Sequence, residues 1–341
     1  MGMAAVVLSE ALLDVLRRRG DEWVPRSHLV QRLDADPDTI EAIVADLRRE
    51  GYRIESDSVA GYRYLAREDR LIGREIQRAL DTRLVGRRVV CLDCTASTND
   101  DVWREAEHGA AEGLAVFAEE QTAGRGRFGR AWVSPRSVGL LCSVLLRPPL
   151  DIRHSHMLTA MAAVAVAEAV RDETRVAARI RWPNDIVVHE RKVAGILVEG
   201  RVLSQGPAFA LGIGINVNTR REDLPADVAR VATSLAAEVG RNVSRVALAR
   251  ALLRSLERWY LILCRGDIGS IADRWRCLSS TLGQRVWLVE DGRPYRGTVL
   301  DLSIEDGLIV RLDSGFTRVF HPASVTLRMP PTPPVERADP R

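Results

Sequence analysis

The stretch IVVHERKVAGILVEGRVLSQGPAFALGIGINVN, residues 186–218, holds three apolar runs at 186–188, 195–198 and 208–215 with no helix between them. Further apolar strands are expected at 89–92, 114–119 and 139–146, and helices at 99–107, 154–171 and 245–263. Strands that cluster without a strict βαβ rhythm point to α+β, with helices packed on a mixed sheet. Downstream, 280–328 reads as short strands with turns at Asp291-Gly292, Asp306-Gly307 and Ser314-Gly315, the spacing of a small barrel. The tail 329–341 has four prolines in 330–334 and reads as disordered.

Upstream, Leu8, Leu12, Leu13 and Leu16 lie on one face of a first helix. A second helix, 27–33, has Ser27 as its expected cap. A third follows Asp36 with Pro37 in its first turn and Ile40, Ile43, Val44 and Leu47 on one face. Two short strands at 51–54 and 61–65 complete a winged helix-turn-helix pattern. DNA binding is therefore one partner to consider, yet residues 1–65 hold nine Arg against twelve Asp+Glu. The third helix opens Asp36-Pro37-Asp38-Thr39-Ile40-Glu41, which sets carboxylates where phosphates would lie. Arg48, Arg49, Arg53 and Arg63 remain the basic candidates. The expected domains are 1–68 (winged helix-turn-helix), 69–272 (catalytic, mixed sheet), 273–328 (SH3-like β-barrel) and 329–341 (tail).

The 341 residues are 46% hydrophobic and 28% charged, enough apolar content for the cores of two or three domains. A net charge of +3 gives no general attraction to nucleic acid or membrane. All but one of the 49 Lys+Arg residues are Arg, and Lys192 is the exception. Asn is nearly as scarce, at Asn99, Asn184, Asn216, Asn218 and Asn242. A GC-rich coding background explains the arginines; a lysine or asparagine that survives it is a candidate for chemistry. Five cysteines at irregular spacing give no disulfide framework, and Cys91-x-x-Cys94 has no second pair at zinc spacing. Neither a signal peptide nor a membrane span is legible, so a cytoplasmic location is expected.

The densest segment is Glu119-Glu120-Gln121-Thr122-Ala123-Gly124-Arg125-Gly126-Arg127-Phe128-Gly129-Arg130-Ala131-Trp132. Glycines let backbone close on a ligand, and guanidinium forks hold phosphate or carboxylate. Ser97-Thr98-Asn99 caps a helix or offers hydroxyls and an amide to a small polar ligand. Arg181-Trp182-Pro183-Asn184-Asp185 reads as a turn. Lys192 starts a buried strand, where an ammonium requires a partner that a bound anion would supply. Gly212-Ile213-Gly214-Ile215-Asn216-Val217-Asn218 is a strand of small residues that permits close approach. The six histidines show no metal-ligand spacing, and His154 and His156 within a helix would point apart. No Ser-His-Asp arrangement is present.

Taken in order, these motifs resemble the biotin protein ligases that carry an N-terminal winged helix. The resemblance rests on Ser97-Thr98-Asn99, Gln121 with Gly124-Arg125-Gly126-Arg127-x-Gly129-Arg130-x-Trp132, Trp182-Pro183-Asn184-Asp185, Lys192-x-x-Gly195-Ile196-Leu197-x-Glu199, and Gly212-Ile213-Gly214-Ile215-Asn216-x-Asn218. It spans about residues 8–328 and implies an adenylate-forming enzyme that joins biotin to a lysine of a carboxylase's biotin carboxyl-carrier domain, with ATP, Mg2+ and biotin as reactants. By the same resemblance Ser97, Thr98, Asn99, Gln121, Arg125, Gly126, Arg127 and Lys192 would bind biotin. Arg125, Arg127, Trp132, Lys192 and Asn216 would bind nucleotide, and Lys192 and Arg127 would be catalytic, with no metal-ligating residues. Asp185 would either form the turn or assist Mg2+ or the incoming lysine. A lipoate or octanoate ligase and a biotin-responsive transcriptional repressor are the competing functions, and a homodimer is a further expectation. The ending Ala323-Ser324-Val325-Thr326-Leu327-Arg328 lacks the Gly-Glu common in the family. Because Lys192 belongs to the site motif, the lysine to be modified lies on another protein.

Overall fold

The computed structural model describes residues 3–65 and 69–328; the expected tail at 329–341 lies outside the described residues. The chain falls into two compact units, Met1–Arg78 with Ser244–Val246, and Ala79–Val243 with Ala247–Arg341.

The first unit runs α1 (Met3–Arg19), α2 (Arg26–Leu33), α3 (Pro37–Arg49), β1 (Ile54–Asp57), β2 (Gly61–Tyr64) and α4 (Gly73–Gln77). Leu12, Leu13, Leu16, Leu29, Ile40, Ile43, Val44 and Leu47 share one core with Tyr52 and Tyr62. Asp36 caps α3 by accepting from Thr39 N at 2.9 Å. Ser27 caps nothing, because α2 begins one residue earlier behind Pro25 and has no side-chain cap bond. The first strand of the hairpin starts at Ile54 rather than at residue 51. Tyr52 N is still bonded to Leu47 O at 3.0 Å, so the end of α3 takes up the residues before it. Ile54 faces Tyr64, and Asp57 faces Gly61.

The second unit continues with β3 (Val89–Leu92), α5 (Thr98–Glu107), β4 (Ala115–Ala118), β5 (Leu140–Leu146), α6 (Ser155–Thr174), β6 (Arg179–Arg181), β7 (Asp185–Val188), β8 (Arg191–Leu203) and β9 (Gly206–Ile215). Then come α7 (Val228–Val231), α8 (Leu235–Val239), α9 (Arg245–Cys264, of which the first two residues count with the first unit), α10 (Ile268–Leu278), β10 (Arg285–Glu290), β11 (Arg293–Ser303), β12 (Gly307–Leu312), β13 (Thr317–Phe320) and β14 (Val325–Arg328). The central sheet has the order β3-β4-β5-β9-β8-β7-β6. β3 and β4 are parallel, and every other neighbouring pair is antiparallel, so the sheet is mixed. α6 is Ala-rich with most of its length buried, a helix apolar on nearly all sides because it lies in the core. The C-terminal strands make an antiparallel sheet ordered β13-β12-β11-β10-β14, with turns where Asp291-Gly292, Asp306-Gly307 and Ser314-Gly315 place them.

β8 is longer than its apolar run at 195–198, because pairing with β9 extends from Ala194–Ile215 to Leu203–Gly206 and carries polar residues along. β6 gave no signal: it is three residues long with one buried side chain, Ile180. α10 was legible in principle, with Asp267 capping it and Ile271, Trp275 and Leu278 buried at helical spacing. Among the described residues no helix is long and apolar enough to cross a membrane.

Candidate active site

The pairing of β3 with β4 continues past both strands, where Thr95 bridges Gln121 and Thr122 N bonds Thr95 O at 2.9 Å. That register sets the start of α5 beside Gln121. Ser97 occupies the N-cap position without a side-chain cap bond. Gln121 caps the helix instead, its Oε1 accepting from Thr98 N at 2.8 Å. Since Oε1 is taken by a backbone donor, Gln121 Nε2 is left to donate elsewhere. Thr98 Oγ1 lies 2.6 Å from Ser143 Oγ, which donates to Asn99 Oδ1 at 2.6 Å. Ser143 was not foreseen; the available signal is a lone hydroxyl inside the otherwise apolar β5. Ser97, Thr98, Asn99 and Ser143 are all buried.

The Gly/Arg loop folds back on itself between β4 and β5. Arg125 bridges Ala131, Gly126 N donates to Arg130 O at 2.6 Å, and Trp132 N donates to Gly124 O at 2.9 Å. A single turn, Arg127–Gly129, closes the tip with Phe128 at a φ of 57°. Arg125 makes a bidentate pair with Asp100 at 2.9 and 2.6 Å and reaches Glu199 at 3.4 Å. The hydrogen bond from Arg125 holds the Asp100 carboxyl below its usual range. Arg127 donates to Asn184 Oδ1 at 3.3 Å, to Pro322 O, and to Val325 O at 3.3 Å. Burial pushes its pKa down, opposed by Asp185.

Trp132 lies across the small-residue strand. A Cβ on Gly214 would clash with the indole, about 2.7 Å from its Cζ2 and Nε1, and one on Gly195 would stand 3.0 Å from its edge and from Lys192 Nζ. The close approach expected at 212–218 is thus made by this chain's own indole. Trp132 Nε1 is buried without a hydrogen-bond partner, a donor suited to an acceptor on a ligand.

Lys192 Nζ lies 2.7 Å from Asp185 Oδ1 and 5.4 Å from the centre of the Trp132 ring. The sequence suggested that a bound anion would partner this lysine; the protein supplies Asp185 itself, and the side chain is partly exposed. Asn216 is buried, and its Nδ2 donates to Thr233 O at 3.1 Å. Thr233 N in turn donates to Lys192 O at 2.9 Å.

One cavity is lined by Ser97, Thr98, Asn99, Gln121, Arg125, Gly126, Arg127, Trp132 and Lys192, together with Ser143, Asn184 and Asp185. Asn216 alone among the nominated residues is absent from that lining. Among the described residues no group of three or more His, Cys, Asp or Glu could hold a metal ion. His154 lies just before α6 rather than inside it, and His156 meets His321, from the segment after β13, with ring centres 4.7 Å apart.

Residues 91–218 match the family described as biotin/lipoate A/B protein ligase. A biotin–[acetyl-CoA-carboxylase] ligase of Mycobacterium tuberculosis is 33% identical over 228 residues, covering 64% of this chain and 82% of that one. This chain belongs to the biotin/lipoate A/B protein ligase family. A bifunctional ligase/repressor BirA of Bacillus subtilis is 28% identical over 314 residues, 92% of this chain and 97% of the relative. Among solved structures, the Aquifex aeolicus biotin protein ligase in complex with biotin and ATP superimposes with a TM-score of 0.62 at 27% identity, covering 72% of this chain and all of that one. The family match ends at Asn218, so it contains every motif residue that lines the cavity.

Proposed function

We propose that this family member is an ATP-dependent biotin–protein ligase. One observation carries the reading: motifs from five separate parts of the sequence converge on a single cavity that offers both neutral donors and cations. The biotin carboxylate attacks the α-phosphorus of MgATP, and the bond to pyrophosphate breaks to give biotinyl-5′-AMP. A carrier lysine amine then attacks the acyl carbon, and AMP leaves. Neither step calls for a nucleophile on the enzyme, so the chain's task is positioning and charge neutralisation.

Thr98, Asn99 and Gln121, beside Ser97, hold the bicyclic ring of biotin. Gln121 Nε2 donates toward the ureido oxygen. Arg125, Gly126 and Arg127 close over biotin and the adenylate, and Lys192 neutralises charge at the carboxylate and α-phosphate in both steps. Trp132 packs beneath the adenylate. Asn216 acts at one remove, holding the Thr233 backbone that anchors the Lys192 carbonyl. Mg2+ would enter as part of the MgATP substrate, and Asp185, the carboxylate that lines this cavity, is the residue that would assist it, since Mg2+ usually takes one or two carboxylates.

The first unit supports a second reading. Three helices and a hairpin, read as a winged helix-turn-helix over 1–68, fit a repressor role like that in the name of the Bacillus subtilis relative. Asp38 and Glu41 stand exposed on α3 and disfavour DNA phosphates there. The ligase domain then spans 69–272, and the C-terminal sheet, 273–328, is read as an SH3-like barrel. The modified partner is a carboxylase carrier domain, the location cytoplasmic, and the assembly a homodimer. Biotin-dependent ATP–pyrophosphate exchange, with lipoate and octanoate as control acids, tests the reading. Exchange that only lipoate or octanoate supports would replace it.

A further inference from the structure

Lys192 is the second residue of β8, which follows β7 through the turn His189-Glu190. Both turn residues lie in the left-handed region, at φ 47° and 59°. Tight hairpin turns of this kind favour Asn-Gly or Asp-Gly, and neither is present, so the hairpin draws on support from outside itself. Glu238 of α8 gives that support. Its side chain is only 5% exposed, and it gathers three partners. Arg191 Nη2 and Thr233 Oγ1 each donate to Oε1 at 2.6 Å, and His189 Nδ1 lies 2.8 Å from Oε2. Glu238 lines neither the cavity described above nor a second one beside it. We propose that Glu238 is a positioning residue for Lys192, a clamp that holds the ammonium beside Asp185 and over Trp132. Its catalytic consequence rests on the ligase reading above; the placement of Lys192 does not.

Two routes run from Glu238 to Lys192. The first is the alternation of side chains along β8: neighbours on a strand point to opposite faces. Arg191, held by Glu238 on one face, turns Lys192 to the other, where Asp185 stands 2.7 Å from Nζ and the Trp132 ring centre 5.4 Å. The second is the backbone. Thr233 gives its hydroxyl to Glu238 and its N–H to Lys192 O at 2.9 Å, and Ala232 bridges Lys192 in parallel register.

The strand register shifts just past Lys192, at Val193, whose carbonyl accepts from Asn216 N at 2.8 Å. Glu238 therefore fixes β8 on the turn side of the bulge, and Asn216 fixes it on the other. Release on the turn side lets the register slip by one residue, which would point Lys192 away from the cavity. Burial raises the pKa of the Glu238 carboxyl, but bonds from Thr233 and His189 and the Arg191 charge outweigh it and hold the group below its usual range. The clamp is thus an ionised carboxylate with its partners in place at neutral pH.

Lys192 is the only lysine of the chain, so full-length protein labelled with 13C at lysine Cε gives a single methylene to follow by NMR. The Trp132 ring current displaces its proton signal upfield of free lysine. In Glu238→Ala the signal is expected to move toward the free-lysine position. Biotin-dependent pyrophosphate exchange should fall at least about tenfold in kcat, with the biotin KM changed less than about twofold. Glu238→Gln keeps an oxygen for Arg191 and Thr233 and offers an amide to His189, so signal and kcat should return to within about twofold of the unaltered chain. Arg191→Ala cuts one leg of the clamp at a partly exposed side chain and supplies the same readouts should Glu238→Ala not fold. An unmoved lysine signal overturns the clamp, and so does a Gln variant as impaired as the Ala one. A moved signal with unchanged kcat overturns the positioning role. Absence of exchange in the unaltered chain would instead strike the ligase reading, and the lysine signal would still decide the clamp.

Discussion

Lys192 and Asp185 face each other at 2.7 Å although alternation along their strands sets them on opposite faces. Asp185 pairs with Gly195 and Ile186 with Ala194, but Val187 then pairs with Lys192, leaving Val193 as an extra residue on β8. Without that bulge Lys192 would stand opposite Val188 and point to the other side of the sheet. The bulge brings the chain's one ammonium onto the face that carries Gly195, Trp132 and the cavity.

Lys192→Arg keeps the charge and loses the point donor. A planar fork is larger, and a Cβ placed on Gly195 already stands 3.0 Å from Lys192 Nζ. Adenylate formation, read as biotin-dependent pyrophosphate exchange, is expected to fall at least roughly tenfold. Near-normal exchange would remove Lys192 from the role given it.

Gly214→Ala drives a methyl group into the Trp132 ring. The loop can answer only by lifting the indole, at a cost of about 1–3 kcal/mol. A red-shifted tryptophan emission with weaker biotin binding is the expected result. Unchanged emission and affinity would show that Trp132 does not rest there.

Ser143→Ala removes the donor to Asn99 Oδ1 and one of two partners of the Thr98 hydroxyl, which keeps Gln121 Oε1 at 3.0 Å, in a fully buried position. Leaving buried polar atoms unpaired costs about 1–3 kcal/mol. Thermal unfolding should register that loss, together with a higher KM for biotin. Ser143→Thr retains the hydroxyl and is expected to recover the biotin KM in part; a KM no better than that of Ser143→Ala would take the hydroxyl out of the biotin site.

His156 has its pKa pushed below the ordinary 6.5, first by burial and then by neighbouring His321. A depressed histidine binds fewer protons folded than unfolded, so stability rises with pH through the interval below 6.5 and is lost on acidification. The melting temperature of the unaltered protein is expected to drop between pH 7.5 and 5.5, and that of His156→Gln to drop less. Equal slopes would assign the acid sensitivity to other groups.

The acidic face of α3 leads to an expectation of no sequence-specific operator binding at physiological salt. A biotin-dependent, salt-resistant footprint would overturn it and establish the repressor role for the first unit.

The sequence by itself determined the mixed α+β class, because three strands follow one another over 186–218 without a helix. It also nominated nine of the residues that line the cavity, from Ser97 to Lys192, since glycines, arginines, hydroxyls and a solitary lysine stand in ordered motifs that composition makes conspicuous, but it placed Asn216 there wrongly and missed Ser143. Local signals sufficed wherever the cause was local, as with Asp36 capping α3 or the Gly turns of the C-terminal sheet. Only the tertiary structure decided what depends on contacts between distant residues. Gln121 rather than Ser97 caps α5, Ser143 enters the polar network from β5, and Asn216 turns toward Thr233. His156 meets His321 across 165 positions of sequence, counted from their residue numbers. The face on which Lys192 emerges belongs to the same group. Side-chain direction in a strand alternates with every residue, and one bulged residue reverses it, an event set by pairing with β7 and invisible in the order of residues alone.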